Sequence, residues 1–466
     1  MACNGSGSGS GCQSNCYKNE EVVEAEASEW TKPAGTVTDP IANNLCIKCK
    51  LNYSISGYGG VDDGRFCADC FGSNLIGKFR FAVTSNAMIS PTDKVLVAFS
   101  GGPSSRVALQ FVNEMQLKAQ KNYDASRDRS LPVFGVGVVF IDERSISPIP
   151  SHVIDTAIKD ISLIVSNLAP PTKELHIVPI ETIYSSSSND GRDRLKKLVD
   201  AINDPTGKED FLLHLRMLAL QKIAAENGYN RLVLGSCTSR IACHVISGTA
   251  KGQGYSLSAD IQYVDGRWEI PVVLPLRDCT IQEIKMFCRL DGLKTIELSN
   301  HHSGINGLVS SFVTLLQEEN PSREYTIVRT AGKLIPFHFN GIPEIDDCNV
   351  PLATQRRQKR YNNLKPPESI LSESFCPICN SPLNKSDILG LSNQGSCQKT
   401  TDTFFAACCS SCRFQILPRD LSSREHFYSI LPQPMVARVK QGSCDNLSLL
   451  REQIQDCLLS DGEDET

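Results

Sequence analysis

The chain has 466 residues, with 47 Lys and Arg against 52 Asp and Glu, for a formal net charge of −5. Its 41% hydrophobic and 21% charged residues can build packed cores. They exclude a wholly disordered chain, a collagen-like fibre and a histone-like basic protein. Residues 1–40 are rich in Gly, Ser and Glu without apolar periodicity, so a disordered tail is expected, with Cys3, Cys12 and Cys16 as incidental thiols. The opening MACNGSGSGSGCQSNC lacks the basic and apolar segments of a secretory signal. No apolar run of about 18 residues occurs. The expectation is a cytosolic chain with no membrane partner and with reduced thiols.

Residues 41–74 read as a small metal-stapled ribbon. Cys46-x-x-Cys49 and Cys67-x-x-Cys70 are separated by 17 residues rich in turn formers, inside the spacing of four-thiolate zinc sites. Each pair supplies two thiolates to a tetrahedron, and a site closed in this way is structural because no position is left for water. A redox pair is the other reading, without a thioredoxin-like context to support it.

Residues 75–338 alternate apolar strand runs with helical stretches. Strands are expected at 94–99, 131–142, 175–180, 231–236 and, less clearly, 269–276. Helices are expected after Ser104, at 152–168, at 211–228 with Gly228 as its stop, and at 280–292. This alternation predicts an α/β fold with a doubly wound parallel sheet, whose ligands bind at the carboxyl ends of the strands. Ser100-Gly101-Gly102-Pro103-Ser104-Ser105 lies between the first strand and its helix. Glycines there let backbone N–H groups turn inward, the helix start adds positive partial charge, and the serine hydroxyls can donate to phosphate oxygens. The lysine of the G-x-x-x-x-G-K-[ST] loop is missing, and a serine-capped strand-to-helix turn is the plainer alternative.

Residues 339–372 read as a linker with a basic run. Arg356, Arg357, Lys359 and Arg360, ending at Tyr361, are the best candidates for contact with RNA phosphates. Further basic strings at Lys78 and Arg80 and at Arg192, Arg194, Lys196 and Lys197 read as solvated faces. Residues 373–420 hold a second ribbon, with Cys376 and Cys379 followed after 29 residues by Cys409 and Cys412. Cys408 is an alternative to Cys409, and RFQILP is a candidate strand to complete this ribbon. Residues 421–466 form an extension with an acidic end.

The string VLVAFSGGPSSRVAL resembles the opening of the PP-loop ATP pyrophosphatases, whose usual form is S-G-G-x-D-S. FCADCFGSNLIGKFRFAV and PLRDCTIQEIKMFC resemble the tRNA 2-thiolation branch of that superfamily, and the resemblance covers roughly 45–420. It implies a PP-loop α/β domain flanked by two zinc ribbons. It further implies a nucleotide loop formed by Ser100, Gly101, Gly102, Ser104 and Ser105. The departures are informative. Ser104 stands where the acidic residue is usual, and FLLHLRMLAL lacks the usual C-x-x-C. No carboxylate occurs from 236 to 244, and Ser299 stands near an expected cysteine. Cys237 and Cys243 could be nominated as substitutes, but small buried thiols are the simpler reading. Cys279 and Cys288 are expected in or near the core.

Sulfur transfer needs a thiolate, and adenylation needs a metal held by carboxylates and phosphates. The resemblance therefore points to the non-catalytic subunits of this branch, with ATP turnover weak or absent and no catalytic residue of their own. The partners it implies are a catalytic thiouridylase subunit, tRNA and a ubiquitin-related sulfur-carrier protein. An independently active sulfurtransferase and a zinc-dependent scaffold are the rival readings.

Overall fold

The computed structural model describes residues 45–55, 66–126, 132–184, 190–298, 303–341, 369–372, 374–384, 387 and 400–439. Its centre is a six-stranded sheet in the order β3-β2-β1-β4-β6-β5. The strands are β1 (Lys94–Ala98), β2 (Gly135–Asp142), β3 (Glu174–Pro179), β4 (Arg231–Val233), β5 (Val264–Asp265) and β6 (Val272–Val273). Only β5 runs antiparallel, against β6. Val95, Leu96 and Val97 of β1 are all fully buried, as a central parallel strand covered on both faces requires. β1 pairs with β2 on one side and β4 on the other, so the strand order reverses there. The loops after β1 and β4 open at that switch point, where such sheets hold ligands.

One face is covered by α1 (Ala68–Ser85), α2 (Pro103–Ala125), α3 (Ser151–Ser166) and α8 (Ile281–Leu290). Val95 and Val97 point into this layer, as the two-residue period of a strand dictates. Phe79, Phe111 and Phe287 tie three of its helices together edge to face, with ring centroids 5.3 and 5.0 Å apart. Leu96 points to the opposite layer, built from α5 (Pro205–Glu226), α6 (Thr238–Ala250), α9 (Gly304–Glu319) and α10 (Ser322–Ala331). Two shorter helices are α4 (Gly191–Asp200) and α7 (Leu257–Asp260). Near the C-terminal cysteines lie α11 (Thr400–Ala406), α12 (Ser410–Gln415) and α13 (Leu421–Ile430).

Several elements differ from the sequence expectation for local reasons. α5 starts at Pro205, ahead of its apolar run, because Asp204 caps it by accepting from Gly207 N at 2.6 Å and proline suits the first helical position. β4 stops at Val233, and the chain then passes close against the start of α2. RFQILP is not a strand. It runs from α12 into the following turn, because Cys409 Sγ accepts from Cys412 N at 3.4 Å and starts a helix there. No described helix is long and apolar enough to cross a membrane.

Candidate functional site

The loop after β1 is shaped by backbone constraints. Gly101 has φ +86°, and a Cβ there would lie 2.9 Å from Ile296 Cβ, so only glycine fits. Ile296 N donates to Gly101 O at 2.9 Å and closes the loop from outside. Gly102 caps α2, with Pro103 in its first turn. Ser105 donates its hydroxyl to Gly102 O at 2.9 Å and lies 3.2 Å from Ser100 Oγ. Ser105 is therefore buried and its proton is committed, whereas Ser100 is exposed and Ser104 half-buried. Gly235 presses on the same turn, since a Cβ there would lie 2.8 Å from Ser105 N. All five residues of the predicted nucleotide loop are thus in one strand-to-helix turn at the switch point.

α6 starts at Thr238, three residues beyond Gly235. Thr238 donates its hydroxyl to Arg277 O at 2.7 Å, and Ser239 Oγ accepts from Ile281 N at 3.0 Å. Cys237 and Cys279 are buried, and Thr238 N donates to Cys279 O at 2.9 Å. Burial pushes the Cys279 thiol well up, and it raises Cys243 and Cys288 to about 11 each. Thiols held neutral in this way are poor nucleophiles.

Two carboxylates near this region escaped the sequence reading. Glu283 accepts from Lys78 Nζ at 2.7 Å and from Tyr325 Oη at 3.1 Å, and it completes a capping box with Thr280. Glu324 is buried on α10, and burial raises its carboxyl above the ordinary range. His244 Nε2 lies 3.1 Å from Asp260 Oδ2.

Among the described residues, two groups of His, Cys, Asp or Glu are placed to share an ion. They are Cys46, Cys49, Cys67 and Cys70, and Cys376, Cys379, Cys409 and Cys412, with the ligand atoms of each set within 4.8 Å of one another. Cys49 Sγ lies 3.8 Å from Cys67 Sγ, and Cys379 Sγ lies 3.7 Å from Cys409 Sγ. Those spacings match the edge of a tetrahedron with metal–sulfur bonds of roughly 2.3 Å. Both sets therefore fit a four-thiolate ion.

The first halves of the two sets share one design. Lys50 N donates to Cys46 O at 2.8 Å, and Asn380 N donates to Cys376 O at 2.8 Å. Lys50 and Asn380, each just after the second cysteine, both take positive φ, +57° and +58°. The second halves are helix starts rather than further knuckles: Cys67 caps α1 and Cys409 caps α12. A helix start favours thiolates through its free N–H groups and dipole. Cys46 lies in the first knuckle rather than at a helix start, and backbone N–H groups act on it in the same sense. Burial opposes it, yet N–H groups of Cys49, Cys67 and Lys48 bring its thiol down to about 6. Between the rival C-terminal thiols, Cys409 joins the set, while Cys408 donates to Phe404 O at 3.3 Å.

Arg356, Arg357, Lys359 and Arg360 lie outside the described residues, as do Ser299 and the 1–40 tail. Of the other basic strings, Lys78 is paired with Glu283 and Arg192 with Glu181. Arg194 stacks over Tyr184 at 4.7 Å and donates to Ser429 O at 3.1 Å. Lys196 and Lys197 are exposed.

A mostly parallel sheet with a serine-glycine loop at its switch point and a four-cysteine set on either side along the chain defines a doubly wound α/β protein with two candidate metal sites. No protein-family model matches the chain. It is 60% identical over 466 residues to the cytoplasmic tRNA 2-thiolation protein 2 of Arabidopsis thaliana, covering 100% of both chains. It is 53% identical over 400 residues to the protein of that name from Oryza sativa subsp. indica, covering 85% of this chain and 86% of that one. The chain belongs to the cytoplasmic tRNA 2-thiolation protein 2 family. Among solved structures, it is similar to the U34-tRNA thiolase NcsA from Methanococcus maripaludis with its 4Fe-4S cluster. The TM-score is 0.46 at 20% identity, covering 66% of this chain and 91% of that one.

Proposed function

We propose that this chain is the non-catalytic subunit of a cytoplasmic complex that places sulfur on the wobble uridine of lysine, glutamate and glutamine tRNAs. A catalytic thiouridylase subunit supplies the reacting thiols and the ATP site, and a ubiquitin-related carrier delivers sulfur as a thiocarboxylate. Zinc occupies both four-cysteine sets in a structural role. Arg356, Arg357, Lys359 and Arg360 contact tRNA phosphates.

One observation carries this reading: the switch point keeps a phosphate-shaped turn without reactive side chains beside it. Cys237 and Cys279 there are buried, burial pushes the Cys279 thiol well up, and Thr238 and Ser239 are bonded to backbone. Among the described residues, no group of three or more His, Cys, Asp or Glu side chains is gathered there. The turn itself retains a helix N-terminus that suits a phosphate, with ATP turnover weak or absent.

The test is co-expression with and without a catalytic thiouridylase. The pair is expected to copurify, retain tRNA in a salt-sensitive manner and form 2-thiouridine, while this chain alone shows no ATP–pyrophosphate exchange. Exchange by the chain alone, lost on Ser100→Ala, would establish the independent enzyme instead. A stable pair from which tRNA is absent would favour a scaffold.

A further inference from the structure

The C-terminal four-cysteine set lies in apolar surroundings that include Ile180, Leu195, Phe211, Phe404 and Phe427. Four thiolates around a divalent ion carry a net charge of about −2. A charge of that size in an apolar core has to be balanced by a cation and by hydrogen bonds. Most nearby basic groups are already engaged. Arg267, which exchanges hydrogen bonds with the backbone and side chain of Asn380, is paired with Asp260 and Asp265. Lys251 is paired with Asp210 at 2.7 Å, and Arg413 with Asp387 at 3.1 Å.

Arg438 is different. Among the described residues it has no carboxylate partner at ion-pair distance. Its Nη1 donates to Pro377 O, inside the Cys376–Cys379 knuckle, at 3.1 Å. Its guanidinium lies 5.3 Å from the centre of the Trp268 ring. Burial pulls its pKa down, and the charges that hold it up are those of Cys376 and Cys379.

We propose that Arg438 is the positioning cation of the C-terminal four-cysteine site. It balances the four-thiolate complex from outside the ligand set, braces the knuckle through Pro377 O, and transmits the ion's presence to Trp268. The inference rests on the metal reading of this site but not on the tRNA reading. Conserving the charge matters because the guanidinium is held against the Cys376–Cys379 knuckle, and conserving the planar fork matters because it both lies over Trp268 and donates. Groups of this kind tune metal affinity without touching the metal.

The experiment uses the full-length chain with Trp30→Phe, which leaves Trp268 as its sole tryptophan, and with Cys46→Ser and Cys49→Ser to disable the N-terminal site. Zn²⁺ affinity is read by competition with a chromogenic chelator, and Co²⁺ is read by its thiolate charge-transfer absorption. Arg438→Gln is expected to weaken binding by roughly 10–100-fold, with Arg438→Lys intermediate. Trp268 emission should shift when the metal is withdrawn from the parent and much less in Arg438→Gln. Should Arg438→Gln fail to fold by circular dichroism, Arg438→Lys carries the test, since it must bind more weakly than the parent. Parent affinity in a folded Arg438 variant overturns the inference while leaving the metal reading intact. A parent that never takes up the ion overturns both.

Discussion

The two four-cysteine sets have the same motif and different physical standing. Around the N-terminal set, Cys49 and Cys70 are half-buried, and Ile47, Leu51 and Tyr53 are 54, 82 and 70% exposed. The C-terminal set has all four sulfurs buried, in one apolar cluster with residues of α4 and α5. It is also bonded to the sheet region through Arg267 and Asn380. One set therefore lies in a surface segment, and the other is part of a core. An identical C-x-x-C pairing does not reveal which is which.

The comparison is broken most directly by removing ligands. Cys376→Ser with Cys379→Ser is expected to cost the folded state itself, because buried, uncompensated ligands and an opened core act together. Cys46→Ser with Cys49→Ser should leave a cooperative melt of the α/β body close to that of the parent. Circular dichroism melts of the two double variants check this, and equal melts would erase the distinction. The next largest contrast is between packing residues. Phe211→Ala, in the cluster that holds the C-terminal set, should destabilise by about 3–5 kcal/mol. Tyr53→Ala, 70% exposed beside the N-terminal set, should stay within about 0.5 kcal/mol. Denaturant titration measures both.

Metal removal sharpens the same contrast in time. A chelator should take the N-terminal ion first, since opening a surface segment needs only local unfolding, and the C-terminal ion only as the core opens. Release followed beside far-ultraviolet circular dichroism should show a first phase without loss of helix. The smallest expected effect is at Cys408. Cys408→Ala removes a thiol bonded to Phe404 O and should cost about 1 kcal/mol while metal content stays at the parent level. Cys409→Ala should instead lower the metal content, and elemental analysis distinguishes the two.

Much of this molecule was legible along the chain. KVLVA reads as a buried parallel strand, and Ser100–Ser105 as a strand-to-helix turn. The paired cysteine spacings pick out both four-cysteine sets that could hold an ion, because strand burial, turn chemistry and knuckle geometry are local properties of a few consecutive residues. Only the tertiary structure decided the rest. It chose Cys409 over Cys408, made helix starts of the second cysteine pairs, and buried one set while leaving the other near the surface. It also brought Lys78 to Glu283 across 205 residues of sequence and Arg438 to Pro377 across 61. Such choices depend on which distant surfaces exclude water together, and no local pattern of residues carries that information.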